Sequence, residues 1–160
     1  MIYKKNDKNF KNNIIVNKKA YYNYFIESTL EAGLVLQGWE VKSLRKKQVN
    51  INSGYLLFNH GKMYLVSIDI QPCLTSISNA FHNQTHRDRQ ILLHRREIFF
   101  LYGKYQIKGY SLIALSLYWK NAWCKLQIGV ARGKNVRDKR EHKKKQEWII
   151  QKNRLIKNFL

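Results

Sequence analysis

Two β-hairpin patterns constrain the fold of this chain more than any other feature. In the first, apolar runs at residues 55–58 and 63–68 flank residues 59–62, where Asn and Gly favour the positive φ of a tight turn. In the second, residues 112–119 and 123–130 flank a short polar turn, and the later run alternates apolar with polar positions. Such alternation buries one face of a sheet and presents the other.

The remaining elements predict a β fold with helices between its strands. A further strand is expected at residues 30–36, with Gly33 at a bulge or a close approach. Helices are expected within residues 21–28, 39–46 and 91–109, from the spacing of their apolar residues. Because no βαβ rhythm appears, the chain is predicted to be mainly β with short helices. A small closed or nearly closed antiparallel barrel of the oligonucleotide-binding type is favoured.

Composition limits the classes of protein that this chain can belong to. Its 160 residues and 44% hydrophobic content fit one folded domain with appendages and exclude a wholly disordered chain. We predict a flexible basic arm at 1–13, an OB-like barrel at 14–132 and a basic tail at 133–160. No run of 18 apolar residues and no secretory signal occur, so a cytoplasmic protein is expected. Cys73 and Cys124 fit reduced structural thiols.

The tail indicates the kind of partner. Residues 132–160 carry eleven Lys or Arg and three acids, a net charge of +8, within a chain of net charge +20. Such a charge draws in nucleic acid or, less readily, an anionic membrane. Apolar pairs at 148–149, 155–156 and 159–160 recur at spacings of seven and four and would form one stripe on a helix. Because the lysines repel one another, we expect disorder in the free protein and a helix on a partner.

Other chemistry finds little support in the residues. No Ser/His/Asp set, paired carboxylates or phosphate-binding glycine loop is present, so an enzyme is not expected, and neither a metal nor a cofactor is predicted. In the polar stretch at 74–89, His86, beside Arg87 and Arg89, is interpreted as facing phosphate or water. On pattern alone Leu92 is a core residue. Glu31 is either an acceptor that orients Lys125 or bonds an RNA base or ribose, or half of a structural ion pair within the barrel. For the function, the residues leave two alternatives open. One is a general RNA-binding or ribosomal protein of barrel type, and the other is a membrane-surface protein.

Short motifs spread over nearly the whole chain are similar to those of one family. They occur in matching order from Asn17 to the tail, and the chain resembles the SsrA-binding proteins (small protein B), the bacterial partners of transfer-messenger RNA. The motifs are Asn17-Lys18-Lys19-Ala20, Tyr24-Phe25-Ile26-Glu27, Glu31-Ala32-Gly33, the run 38–45, Leu92-Leu93-His94, the run 115–121, Gly133-Lys134, Asp138-Lys139-Arg140 and Glu147-Trp148.

The resemblance implies a fold and a function. The fold would be an OB-like antiparallel barrel with three helices and a basic C-terminal tail. The protein would be a monomer without catalytic activity that binds the tRNA-like domain of transfer-messenger RNA. It would be delivered with elongation factor Tu to the A site of stalled 70S ribosomes for trans-translation. The tail would then fold as a helix in the decoding centre and the empty mRNA channel.

The resemblance also implies functional residues. Arg137 stands where the family often has His or another stacking ring, and a guanidinium plane can also stack. The positions implied for transfer-messenger RNA are Asn17, Lys18, Lys19, Glu31, Leu92, Lys125, Gly133 and Lys134. Those implied for the ribosome-engaging tail are Arg137, Asp138, Lys139, Arg140, Lys143, Lys144, Trp148, Lys152, Arg154, Leu155 and Ile156.

Overall fold

The computed structural model describes residues 13–73, residues 84–135 and, in the tail, residues 140, 144, 147–152 and 154. The strands are β1 (Asn13–Val16), β2 (Tyr24–Leu34), β3 (Val49–Asn50), β4 (Tyr55–Asn59), β5 (Lys62–Val66), β6 (Asp69–Ile70), β7 (Arg89–Leu92), β8 (Tyr110–Lys120) and β9 (Trp123–Gly133). The helices with defined bounds are α1 (Lys18–Asn23), α2 (Gly38–Arg45) and α3 (Arg95–Gln106).

The main sheet closes on itself as a ring. Its antiparallel strands follow the order β1-β8-β4-β5-β7-β2-β9, and a further pairing of β8 with β9 closes the circle. The eleven-residue strand β8 pairs with β1 and β4 along one edge and with β9 along the other. Strands β3 and β6 form a separate two-stranded sheet. The architecture is therefore mainly β with short helices around a ring-like sheet.

Both predicted hairpins are confirmed, and their turns show why the sequence specifies them. Asn59 pairs with Lys62, so His60 and Gly61 form a two-residue turn with φ of 44° and 74°. Positive φ at both central positions matches the right-handed twist of the flanking strands. The second hairpin turns at Asn121, which also has a positive φ of 56°.

The helix predicted at residues 91–109 was wrong in its first part. Ile91 belongs to β7, and α3 begins only at Arg95. The carboxylate of Glu97 accepts a hydrogen bond from the backbone N–H of His94 at 2.8 Å, which fixes the start of the helix. Near the N-terminus, β2 begins at Tyr24, six residues before the predicted strand. The number of helices is also corrected, because the described tail residues have helical backbone and add a fourth helical segment to the expected three.

The hydrophobic core fills the inside of the ring. Its buried side chains include Leu65, Leu117 and Leu126 from three strands, and α2 and α3 add Leu44 and Leu101. A second cluster lies outside the ring, where Ala20, Ile113, Leu115 and Ala131 pack α1 against β8 and β9. No helix among the described residues is long and apolar enough to span a membrane.

A buried ion pair fixes β7 against α2. Glu40 and Arg89 are both fully buried, and Arg89 Nε donates to Glu40 Oε1 at 2.9 Å. The Arg89 guanidinium also donates to the carbonyl oxygens of Thr85, Arg87 and Ile68 at 2.7 to 3.0 Å. Burial lowers the pKa of Arg89, and the Glu40 charge opposes that shift. Arg87 also bonds Glu40, so the two arginines share this one carboxylate.

Candidate nucleic-acid interface

One row of residues crosses four neighbouring strands of the ring. Tyr118 of β8 pairs with Lys125 of β9, which pairs with Gly33 of β2, which in turn pairs with Leu92 of β7. Directly paired residues in antiparallel strands project from the same face of a sheet. The row therefore places Lys125 and Leu92, which are far apart in the sequence, on either side of Gly33.

The absence of a side chain at Gly33 shapes this row. A Cβ built on Gly33 would lie 3.3 Å from Leu92 Cβ, closer than ordinary van der Waals contact. Leu92 nevertheless keeps 53% of its surface exposed, which corrects the core position expected from pattern alone. The predicted close approach at Gly33 is confirmed. The row thus exposes an apolar side chain beside a cation.

Glu31 holds the charges next to this row in a fixed arrangement. Its Oε2 accepts a hydrogen bond from the Tyr118 hydroxyl at 2.6 Å. Its Oε1 lies 3.0 Å from Lys120 Nζ and 3.6 Å from Lys125 Nζ. The Tyr118 hydroxyl, more than the two lysines, keeps the pKa of Glu31 below its usual range. One carboxylate therefore orients two ammonium groups and leaves a net positive charge at the surface. We name Glu31, Gly33, Leu92, Tyr118, Lys120 and Lys125 the row site.

A second group of the predicted residues gathers around α1. Lys18 and Lys19 are exposed on the helix, and Gly133 is exposed at the end of β9. The backbone N–H of Lys134 donates to the Asn23 carbonyl at 2.9 Å, and its Nζ donates to the Tyr21 carbonyl at 2.8 Å. A positive charge close to the last carbonyl groups of a helix stabilises its C-terminal end. Lys134 thus ties the start of the tail to α1.

Asn17 lies beneath this second group. Its side chain is fully buried, and Nδ2 donates to the carbonyl oxygens of Ile51 and Ala114, each at 3.0 Å. Its Oδ1 accepts from the Ala20 backbone N–H at 2.9 Å and caps α1. Asn17 therefore positions α1 from within the protein, and the side chains of Lys18 and Lys19 lie on the surface above it.

The two groups lie at opposite ends of β2. Tyr24 pairs with Gly133 at one end, and Gly33 pairs with Lys125 at the other. Nine residues of extended strand span about 30 Å. Apart from the buried Asn17, the predicted RNA-binding residues therefore fall into two separate surfaces, the row site and the α1 group (Lys18, Lys19, Gly133 and Lys134).

The described part of the tail is helical and exposes both apolar and basic side chains. Trp148 is 62% exposed, and Lys152 Nζ lies 5.3 Å from the centre of its ring. Arg140, Lys144 and Arg154 are also exposed and have helical backbone. The other predicted tail residues lie outside the described residues: Arg137, Asp138, Lys139, Lys143, Leu155 and Ile156. Disorder of the free tail stays a prediction.

Sequence reasoning missed the polar residues that support the row site. Glu40 lies four positions before the buried Leu44 on α2, and Arg89 lies two positions before the buried Ile91 on β7. Both spacings place the charged residue on the buried face and would have indicated the pair. Ser116 donates to Gln127 at 2.9 Å in the neighbouring row of the sheet.

Among the described residues, no group of three His, Cys, Asp or Glu could hold a metal ion.

The fold and these surfaces define a small basic β-sheet protein of the RNA-binding class, with two cationic surfaces and a basic tail. Comparison with known proteins then identifies the family. The sequence model of the family described as "SmpB protein" matches residues 14–158, and the chain belongs to this family.

Relatives and a solved structure support this assignment. Proteins from three strains of Buchnera aphidicola subsp. Acyrthosiphon pisum (Tuc7, 5A and APS), each named SsrA-binding protein, are 46% identical over 157 residues. The match covers 98% of this chain and 96% of each relative. A chain from the solved structure described as "tmRNA-SmpB: a journey to the center of the bacterial ribosome" is 36% identical, with a TM-score of 0.64. That match covers 76% of this chain and 85% of the other.

Proposed function

We propose that this chain binds the tRNA-like domain of transfer-messenger RNA and delivers it to stalled ribosomes for trans-translation. The relatives bear the name of SsrA-binding proteins, and the similar solved chain comes from a complex of transfer-messenger RNA. The proposed function is one of binding and delivery in the cytoplasm, without a catalytic step. In this proposal the protein is a monomer and reaches the ribosome together with elongation factor Tu.

The observation that carries this proposal is the row site. Three predicted RNA-binding residues on three different strands, Glu31, Leu92 and Lys125, come together around Gly33. Lys125 offers a phosphate contact, and the exposed Leu92 offers an apolar contact to a sugar or a base. Because Gly33 carries no side chain, Leu92 packs closely against it and presents its exposed surface on the same face as Lys125.

Substitution of Lys125 tests the row site. We expect Lys125→Ala to weaken binding of transfer-messenger RNA. The slope of log Kd against log salt concentration should fall by about 1, the contribution of one lysine–phosphate contact. Lys62→Ala is the matched control, because Lys62 is an exposed lysine at the turn between β4 and β5. Equal effects of the two substitutions on the slope would show that the row site is not the contact surface.

Competition separates this function from general RNA binding. Bulk tRNA in excess at moderate salt should displace a protein held mainly by phosphate contacts, since those contacts weaken steeply with salt. A specific partner should stay bound under the same conditions. Release of transfer-messenger RNA at the same competitor concentration as an unrelated RNA would favour the alternative of a general RNA-binding or ribosomal protein.

We further propose that the tail engages the decoding centre and the empty mRNA channel. Support comes from the helical backbone and the exposed Trp148 of its described part. Removal of residues 138–160 should leave binding of transfer-messenger RNA at moderate salt largely intact and abolish peptide tagging on stalled ribosomes. A truncated protein that loses RNA affinity in proportion to its tagging activity would contradict this division of roles.

A further inference from the structure

A polar cleft of about 310 Å³ lies beside the α1 group, away from the row site. It opens between α1, the turn that precedes β4, the end of α3 and the start of β8. Its walls are rich in aromatic rings, from Tyr24, Tyr55, Tyr105 and Tyr110. Tyr55 and Tyr105 are 47% and 40% exposed, so their rings are accessible to a ligand.

The cleft also presents polar side chains without internal partners. The side chains of Asn23, Asn52 and Ser53 line it and make no hydrogen bond within residues 13–73 and 84–135. Each amide can donate and accept at once, as the edge of a nucleobase requires. Among the described residues, Lys19 is the only lysine or arginine that lines the cleft, so this lining does not fit a cluster of phosphates.

The shape of the cleft is built into the fold. A Cβ on Gly54 would lie 2.7 Å from Ile68 Cγ2, so the 51–54 turn packs too closely for any side chain at that position. The Gly54 carbonyl accepts from the Ala114 backbone N–H at 3.0 Å. Asn17 adds its bonds to the Ile51 and Ala114 carbonyls and thereby joins α1, the turn and β8. These contacts fix three of the walls, α1, the turn and β8, relative to one another.

We propose that this cleft takes one unstacked base of the RNA partner, between its tyrosine rings and its amide groups. Single-stranded RNA is recognised mainly through bases that stack on aromatic side chains and hydrogen-bond along their edges. The volume lies at the lower end of the range for small-molecule sites, which suits one nucleoside and not a helix. Lys19, with Lys18 on the same helix, is placed for the phosphates on either side of that base. This inference rests on the proposed function and adds a base-binding site to it.

The test measures the affinity of the full chain for transfer-messenger RNA. We expect Tyr55→Ala and Tyr105→Ala each to raise Kd between about 5-fold and about 150-fold, the effect of losing one base-stacking ring. The slope of log Kd against log salt should stay unchanged, because neither substitution removes a charge. Tyr55→Phe keeps the ring and should retain most of the affinity. Thermal melting confirms that each variant is folded.

Phe99→Ala is the matched control on α3. Phe99 is an exposed aromatic residue, at 64%, and it does not line the cleft. An unchanged Kd for Phe99→Ala, together with the losses at Tyr55 and Tyr105, would support the cleft. An equal loss at Phe99 would point to a general aromatic surface and overturn the proposal, as would unchanged affinity for both tyrosine variants.

Ultraviolet crosslinking distinguishes a base from another occupant. Zero-length crosslinks from transfer-messenger RNA should map to peptides that contain Tyr55 or Tyr105. Crosslinks confined to other peptides would show that the cleft is not an RNA site, and that a protein segment is the better candidate. Failure of the unmodified chain to prefer transfer-messenger RNA over bulk tRNA would refute the proposed function itself and is read from a separate titration.

Discussion

The substitution Glu40→Gln probes the buried contact that supports the row site. The Glu40 carboxylate accepts from the Gln37 backbone N–H at 2.7 Å and from Nε of both Arg87 and Arg89 at 2.9 Å. Glutamine has nearly the same shape but carries no charge, and its NH₂ group would face donors. Arg89, which is fully buried, would then keep its charge without the carboxylate that it bonds directly.

The expected cost of Glu40→Gln is large relative to the stability of a domain. Removal of one partner from a buried ion pair costs about 3 to 5 kcal/mol. Folded proteins are stable by only about 5 to 15 kcal/mol, so the variant would lose about a fifth or more of the free energy of unfolding. For a chain of this size the thermal midpoint would fall by about 6 to 20 °C.

Equilibrium unfolding in urea, followed by tryptophan fluorescence and circular dichroism, measures this cost. The midpoint should fall while the m-value stays constant, since the surface exposed on unfolding is unchanged. Glu31→Gln is the matched control, because Glu31 also faces two cations, but with 36% of its side chain exposed. An exposed ion pair contributes about 0 to 1 kcal/mol. Equal losses from the two substitutions would refute the assignment of Glu40 as a buried structural charge.

Three further predictions concern the row site and the core. Because folding lowers the pKa of Glu31, its ionised carboxylate stabilises the folded state at any pH above the unfolded pKa of about 4.3. This stabilisation is lost as the pH falls through the folded pKa. Tyr118→Phe should raise the pKa of Glu31 in a carboxyl NMR titration, and an unchanged value would contradict the role of the hydroxyl. Burial raises the pKa of Cys124 to about 12, so the thiol should resist a thiol reagent at pH 8 until the protein unfolds. Gly33→Ala should displace Leu92 and weaken RNA binding, whereas Gly103→Ala, with open space around it, should stabilise α3 by about 0.5 to 1 kcal/mol and leave RNA binding unchanged.

The hairpins could be predicted because their information is local. The turn at His60 and Gly61 needs positive φ, and the apolar runs on both sides supply the paired strands. A turn of fixed length also sets the register, so the short stretch 55–68 determines its own structure. The helix α2 was predicted for a similar reason, since Trp39 and Leu44 mark its buried side within one stretch of chain.

The strand β7 could not be predicted in this way. It has four residues, and its apolar Ile91 and Leu92 continue directly into the apolar pattern of α3. Only the pairing of β7 with β2 and β5, strands far away in the sequence, makes it a strand. Because this pairing also turns Leu92 outward over Gly33, the same non-local contact decides both the fold of the segment and the role of its residue.

The buried polar residues show how the sites depend on distant parts of the chain. Asn17 bonds the carbonyl of Ala114, 97 residues away, and Arg89 bonds Glu40, 49 residues away. A polar residue is stable inside a protein only when such partners satisfy it, and local periodicity does not reveal them. Asn17 holds α1 over the tyrosine cleft, and the Glu40–Arg89 pair fixes the strand that presents Leu92. Substitutions of Asn17 or Glu40 that weaken RNA binding should therefore also lower the stability of the fold. Substitutions of Lys19 or Lys125, whose side chains reach the surface, should weaken RNA binding without lowering stability.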